Sequence, residues 1–408
     1  MNLLIYLLIF LLPTQLSFHA WPAFSYISGI RIDYLAPTLY FTDIIVLAII
    51  IWSLWKKGKS FLIKSLRFLL IPVFLLAVNL YFSQNKPITL YKDLKFLEFA
   101  LLLFSLLSIK LNRDLIIKII VAETILVSFL GISQFINNGS INGILWWFGE
   151  RAFTSATPGI AQASLGGQLF LRPYATFPHP NVFGGFLSIV LPFILYFLSS
   201  RKTGNKLLLI IAFLVGSVTL FLTMSRVAWV ALLIGLISLV VAKCHRGDKI
   251  LIFIFFVFIL FFSLFVIKYN FIPRDESVFV REDLSRISFD IFLKYPVTGA
   301  GLGGFIPQVA ISEVAKRTLS LLQPVHNIYL LVLSEGGILL FAPFLIIVFF
   351  TLKKNRFTLV PFLQILFIGL FDHYFLTLQQ GQLMLVFVLA SIFNKSCQDE
   401  AGQLNYNK

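Results

Sequence analysis

Residues 2–18 read "NLLIYLLIFLLPTQLSF", an apolar run broken only towards its end. The choice lies between a cleaved signal peptide and a retained membrane helix. A signal peptide carries a basic segment before its apolar stretch and a small-residue cleavage site after it. This run has neither, so it reads as the first of a series of membrane helices. Working outward, apolar runs start near residues 3, 38, 66, 93, 115, 181, 207, 227, 250, 327, 357 and 381. Their lengths suit a hydrocarbon core of roughly 30 Å. Composition agrees: 59% of the chain is hydrophobic and only 12% is charged, with a mean hydropathy of +0.92. Soluble domains are about 45–50% apolar and about 25% charged. The expected fold is an all-α polytopic membrane protein of about twelve transmembrane helices, one integral membrane domain over residues 1–408. The two cysteines, Cys244 and Cys397, lie too far apart to suggest a ligand pair.

Orientation follows from the basic loops. "KKGKSFLIKSLR", "KLNRDLIIK", "RKTGNK", "KCHRGDK" and "KKNR" fall on one side if the helices alternate. The opposite side holds few basic residues: Arg31, Lys86, Lys92, Lys95 and Arg226. The positive-inside rule then puts both termini, including the tail 395–408, in the cytoplasm. It puts two long loops outside, 138–180 and 270–326. The net charge of +15 reads as a topology signal with some attraction to lipid headgroups. Nucleic acid is not an expected partner, because the basic residues are scattered over helix ends.

Polar sequence collects on the outer side. "RPYATFPHPNVFGGFL" spans Arg172–Leu187, and Pro178 and Pro180 flank His179, which disfavours helix there. Asn181 is placed to cap the helix that follows. In "REDLSRISFDIFLKYP" Leu284, Ile287, Ile291 and Phe292 recur at helical spacing, with Asp283, Arg286, Asp290 and Lys294 on other faces. That pattern predicts an amphipathic helix resting on the outer interface. "PVTGAGLGGF" turns the chain, and "QPVHNIYLLVLSEGG" re-enters the membrane.

Candidate chemistry lies in the same places. Arg226, in "LTMSRVAWVAL", is a lone arginine between two apolar runs. An ionisable group there is a functional candidate by default, against the plainer reading of a side chain snorkelling to headgroups. Arg172 and Arg286 each suit a headgroup contact as well as a ligand contact. Together the three arginines fit a lipid-linked diphosphate, since a guanidinium fork matches phosphate oxygens and keeps its proton. His326, beside Asn327, is placed to take a proton from an acceptor hydroxyl or simply to end a helix in water. His179 offers the same chemistry. Glu335 lies more than two turns inside the helix after His326, where a carboxylate needs a partner. Asp372 and His373 sit at the outer end of the eleventh run, as acceptor contacts or as interface polars. "GAGLGG" follows no strand, so a nucleotide loop is not expected. With no HExxH, CxxC or acidic cage, no metal and no cofactor is expected.

The ordered set "RPYATFPHPNVFGGFL", "TMSRVAWVALL", "RISFDIFLKYPVTGAGLGGF" and "VHNIYLLVLSEGGILLF" resembles the signature blocks of the bacterial O-antigen ligase and O-antigen polymerase family. The resemblance covers residues 165–345. It implies a membrane glycosyltransferase of the GT-C type acting at the outer face of the cytoplasmic membrane. Such an enzyme takes a glycan from an undecaprenyl diphosphate carrier and passes it to a lipid, glycan or protein acceptor. The resemblance puts Arg172, Arg226 and Arg286 on the diphosphate and His326 near the reaction centre, and implies metal-independent transfer. A transporter of lipid-linked oligosaccharide would show internal repeats and midplane sites, and the two halves share no evident similarity. A non-catalytic scaffold would keep its activity in cells when Arg172, Arg226 and His326 are replaced by alanine.

Overall fold

A computed structural model describes residues 1–107, 109–165, 168–198, 206–243, 276–312, 321–354 and 356–394. The apolar run near 250, both cysteines and the tail 395–408 lie outside the described residues. The described chain is mostly helical: α1 (Asn2–Phe10), α2 (Phe41–Phe82), α3 (Lys86–Leu106), α4 (Arg113–Asn137), α5 (Pro180–Leu198), α6 (Lys206–Leu222), α7 (Arg226–Lys243), α8 (Glu276–Lys294), α9 (Phe305–Ala310), α10 (Ile328–Leu352), α11 (Arg356–Ile368), α12 (Tyr374–Thr377) and α13 (Gln379–Phe393).

Among the described residues four helices, α2, α4, α5 and α10, are long and apolar enough to cross a membrane; α6, α7, α11 and α13 contribute shorter apolar stretches. α2 contains the second and third apolar runs, broken at Gly58, whose φ of 56° and ψ of −145° are non-helical. Glycine takes that conformation without a Cβ clash, so the basic "KKGKS" becomes a sharp bend. α5 is central, with 72% of its apolar window buried against 22% for α2 and α10. Ile51, Trp55, Leu70 and Ile71 of α2 are exposed. Such a surface is unfavourable in water and matches lipid tails.

The helices run back and forth between two ends. At one end Asn2 donates to the Lys110 carbonyl and the Asn112 N–H to the Tyr6 hydroxyl. Asn394 donates to the carbonyls of Leu106 and Ile109, and Arg113 lies over Tyr196 and Phe197. At the other end Gln380 donates to the Thr14 carbonyl, Asn181 to Asp372, and Asn327 to the Leu370 carbonyl. Lys110, Arg113, Lys353 and Lys354 thus gather opposite the candidate residues, the segregation that alternating spans require.

The sequence reading needs three corrections. The first helix is only nine residues long, because the chain leaves helix at Leu11–Pro13. Residues 14–40, which the apolar runs do not set apart as a segment, form antiparallel pairs β1 (Ser17–His19) with β4 (Thr38–Tyr40) and β2 (Tyr26–Ile27) with β3 (Ile30–Arg31). A further hairpin, β5 (Gln162–Leu165) with β6 (Gln168–Leu171), precedes Arg172. These strands are small additions to a helical fold, and Pro13, Pro22 and Pro37 mark the missed segment. Third, Asn181 does not cap α5: its own N–H donates to His179 Nδ1 at 3.1 Å, and His179 O accepts from Val182.

The expected amphipathic helix is present as α8. Leu284, Ile287 and Ile291 are buried while Phe289 and Leu293 are exposed. Its buried stripe joins Ile32, Leu35, Phe305, Val325 and Leu331 in a second apolar core at the site end. This core ties the 14–40 segment, α8 and α9 onto the start of α10. Behind it α10 breaks at Gly337 (φ 57°), and Ala300, Gly301, Ile338 and Leu339 make strand-like bonds across the break. Glu335 belongs to this clasp. One of its carboxylate oxygens accepts from the Phe305 N–H at 3.2 Å and its carbonyl from Gly301 and Asn79, which answers its need for a partner.

Candidate active site

Four segments far apart in sequence meet through one chain of polar contacts. Arg172 follows β6, and its Nε donates to the Thr223 carbonyl at the end of α6 (2.7 Å). Its Nη2 donates to Asn181 Oδ1 in the first turn of α5 (2.6 Å). Asn181 Nδ2 in turn donates to Asp372 Oδ2, between α11 and α12 (3.1 Å). Asp372 Oδ1 accepts from the His373 N–H (2.8 Å) and lies 3.7 Å from His326 Nδ1, just before α10. The His326 and His373 rings stand 5.1 Å apart. Asn327 is the cap of α10: its Oδ1 accepts from Tyr329 and Leu330.

Close helix packing makes the meeting possible. A Cβ at Gly185 would strike the Tyr374 ring, so the glycine in "NVFGGFL" lets α5 carry Asn181 up to the Asp372 loop.

Burial and mutual charge set the protonation states. Burial, with Arg226 and Arg281 nearby, brings Arg172 down to about 10, still a cation at neutral pH. Burial, with Arg172 beside it, lowers His179 to about 3; burial outweighs Asp372 in bringing His373 to a similar value. Both rings are therefore neutral at physiological pH. Burial alone would raise Asp372, but His326 beside it outweighs burial and holds the carboxyl below its ordinary value. His373 is held by Thr377 one turn further on. Thr377 Oγ1 lies 2.6 Å from Nδ1 and 3.2 Å from the His373 carbonyl.

Arg286 stands apart from this chain of contacts, and Arg281 lies nearer to it. Arg286 is 71% exposed and forms a 2.6 Å ion pair with Glu282 on the outer face of α8. Arg281 is half-buried, and it is felt electrostatically by both Arg172 and His373. Helix register explains the difference. Ser288 Oγ donates to the Leu330 carbonyl, an offset of 42 residues, and Ile338 N–H donates to the Pro296 carbonyl at the same offset. These contacts set the second half of α8 alongside the start of α10. At 100° per residue Arg281 flanks the Leu284–Ile291 stripe, whereas Arg286 falls on the far side.

Arg226 begins α7 beside Thr223 and depresses Arg172 through its charge. Tyr34, from the 14–40 segment, packs its ring edge on His373 at 5.4 Å. Burial, with Asp372 and Asp33 nearby, raises its hydroxyl well above the ordinary range, so it remains a donor. His326, Asp372 and His373 offer donor atoms within 4.8 Å of one another, a set of the kind that holds a metal. Asp372 Oδ2 already accepts from Asn181 there, so an ion would share the carboxylate with that amide.

Chemically, the arrangement offers a cationic lobe (Arg172, Arg226, Arg281) next to a carboxylate–imidazole pair (Asp372, His326). Residues 210–345 match the family model for O-antigen ligase. That segment is O-antigen ligase-like. It contains Arg226, Arg281 and His326, and the resemblance read from the sequence holds over it. A comparison with curated proteins finds no match. The O-antigen ligase family connects the chain with a ligase- or polymerase-type membrane enzyme and a lipid-linked glycan donor.

Proposed function

We propose that the chain is a membrane glycosyltransferase of about twelve spans, with a GT-C-like layout and its site facing the exterior of the cytoplasmic membrane. It transfers a glycan from an undecaprenyl-diphosphate-linked donor to an acceptor hydroxyl. The observation that carries this reading is the union of Arg172, Asn181, Asp372 and His326 from three distant segments at one end of the helices. Arg226 and Arg281 beside them turn that end into a seat for a group with more than one negative charge. Basic residues at the opposite end support the outward orientation.

In this mechanism the guanidiniums of Arg172, Arg226 and Arg281 hold the diphosphate and stabilise it as it departs. The acceptor oxygen attacks the anomeric carbon as the bond from that carbon to the diphosphate oxygen breaks. His326 takes the acceptor proton, and Asp372 orients the ring and stabilises the imidazolium. A single displacement inverts the anomeric configuration. Asn181 links the two halves, since the same amide touches Arg172 and Asp372. His179 and Asn327 hold the helix starts, and Glu335 holds the clasp behind the site.

Incubating the purified protein with undecaprenyl-diphosphate-linked oligosaccharide and candidate acceptors tests the reading. A new glycosidic bond with release of undecaprenyl diphosphate is expected, and Arg172→Ala should abolish it. Movement of the donor across vesicles without a new bond would contradict the proposal. A second reading, repeat-unit polymerase, uses the same site with a lipid-linked glycan as acceptor. A ladder of lengthening products on the carrier marks it.

A further inference from the structure

The stretch that carries Arg172 contains a strained residue and needs something to hold it. Ala175 has φ +49°, in the left-handed region that an alanine's Cβ disfavours. It lies in a tight turn closed by Phe177 N–H donating to the Tyr174 carbonyl at 3.0 Å. Arg172 enters this turn and His179 leaves it, so the turn's orientation fixes both.

Gln134, near the site end of α4, grips the turn. Its Oε1 accepts from the N–H groups of Tyr174 (3.0 Å) and Ala175 (2.7 Å). Its Nε2 donates to the Ala175 carbonyl (3.0 Å) and to Glu150 Oε1 (2.8 Å). All four bonding capacities of the amide are used, and the residue is 0% exposed. Glu150, also buried, accepts from the N–H groups of Ile141 (2.8 Å) and Asn142 (2.7 Å). One side chain thus joins a membrane helix to both ends of the 138–180 loop. An amide is the group that fits: a carboxylate would face Glu150, and an alkyl chain would orphan three buried backbone groups.

We propose that Gln134 is a positioning residue for Arg172, setting the affinity of the site for a polyprenyl diphosphate without touching it. The proposal rests on the diphosphate reading of the site. A displacement of about 1 Å at a ligand-holding group can cost on the order of 100-fold, and loss of this grip frees the turn to move by that much.

The test measures binding of undecaprenyl diphosphate to the detergent-solubilised full chain for wild type, Gln134→Glu, Gln134→Leu, Arg172→Ala and the double variant Gln134→Leu/Arg172→Ala. Thermal unfolding and size-exclusion profiles report on the fold of each. The expected result is binding weakened roughly 10- to 100-fold in both Gln134 variants, with the double variant no weaker than Arg172→Ala alone. Losses that multiply in the double variant overturn the positioning role, as does unchanged binding in a folded Gln134→Glu protein. Wild-type-like binding by Arg172→Ala would instead remove the diphosphate reading itself, so the two failures are distinct. Should Gln134→Leu fail to fold, the isosteric Gln134→Glu, with its own Arg172→Ala double variant, decides the question.

Discussion

The two ends of the helices use charge in opposite ways. At the basic end Lys353 is exposed and lies 4.1 Å over the Phe349 ring, and Lys354 lies 5.4 Å from the Phe393 ring. No exact geometry is needed there, because the positive-inside effect counts charges and does not read their directions. At the site end Arg172, Asp372 and His373 are buried or half-buried and each has a defined hydrogen-bond partner. A desolvated charge is expensive unless paired, so each group there is tied to the position of the next. The contrast separates charge that orients a protein from charge that does chemistry.

The sharpest way to break this comparison is to remove the centre of the polar chain. Asp372→Asn and His326→Ala should each lower transfer to the acceptor by about 10²–10⁴-fold, measured as product formed per unit time at saturating donor. His326→Ala should leave donor binding within about threefold, because its role lies in the proton and not in the phosphates. A weakened donor affinity with normal turnover would reverse that assignment.

A second test compares two arginines on one helix. Arg281→Ala should weaken undecaprenyl diphosphate binding by about 10-fold or more, the scale of a charge-assisted contact. Arg286→Ala, which removes an exposed i,i+4 pair, should change it by less than about twofold. Equal losses would mean that α8 presents both faces to the ligand.

The same pair shows where the sequence was legible. Arg172, Arg226, His326, Asp372 and His373 were all found as polar residues at one end of apolar runs, because membrane depth can be read from hydropathy alone. What hydropathy cannot give is rotation about an axis. Arg281 precedes Leu284 by three residues and so flanks the buried stripe, a helical-spacing signal that was present but unused. Tyr34 and Gln134 left no such trace. One acts across more than 300 residues of chain and the other through backbone bonds to a loop, and neither kind of contact has a periodicity. The amphipathic α8 was readable because its own spacing encodes burial, whereas α1 ends early before Pro13 and the 14–40 segment depends on packing against α8 and α10.

A smaller effect concerns pH. His179 and His373 are neutral when buried, with values near 3 in place of the ordinary 6.5. Between those limits the unfolded chain binds protons that the folded one refuses, so stability falls as pH drops from about 6.5 towards 3. The slope is at most about 1.4 kcal/mol per pH unit for each ring. Thermal midpoints in detergent should decline over that window, and His373→Gln should flatten the decline. A midpoint insensitive to pH between 7 and about 4 would mean that these rings are solvated.

The smallest expected effect lies at the basic end. Replacing Lys353 and Lys354 together with glutamine removes two exposed cations whose ring contacts are worth about 0.5–1 kcal/mol each. Neither touches the chain of contacts from Arg172 to His326, and Lys110 and Arg113 remain on the same side to hold the orientation. Transfer per correctly inserted molecule should stay within about twofold of wild type. A tenfold drop would show that the two ends are mechanically coupled through α10, α11 and α13, and that charge at the basic end does more than orient. Equal activity, with the added polar tail of glutamine tolerated at both positions, would leave the division of labour between the ends intact.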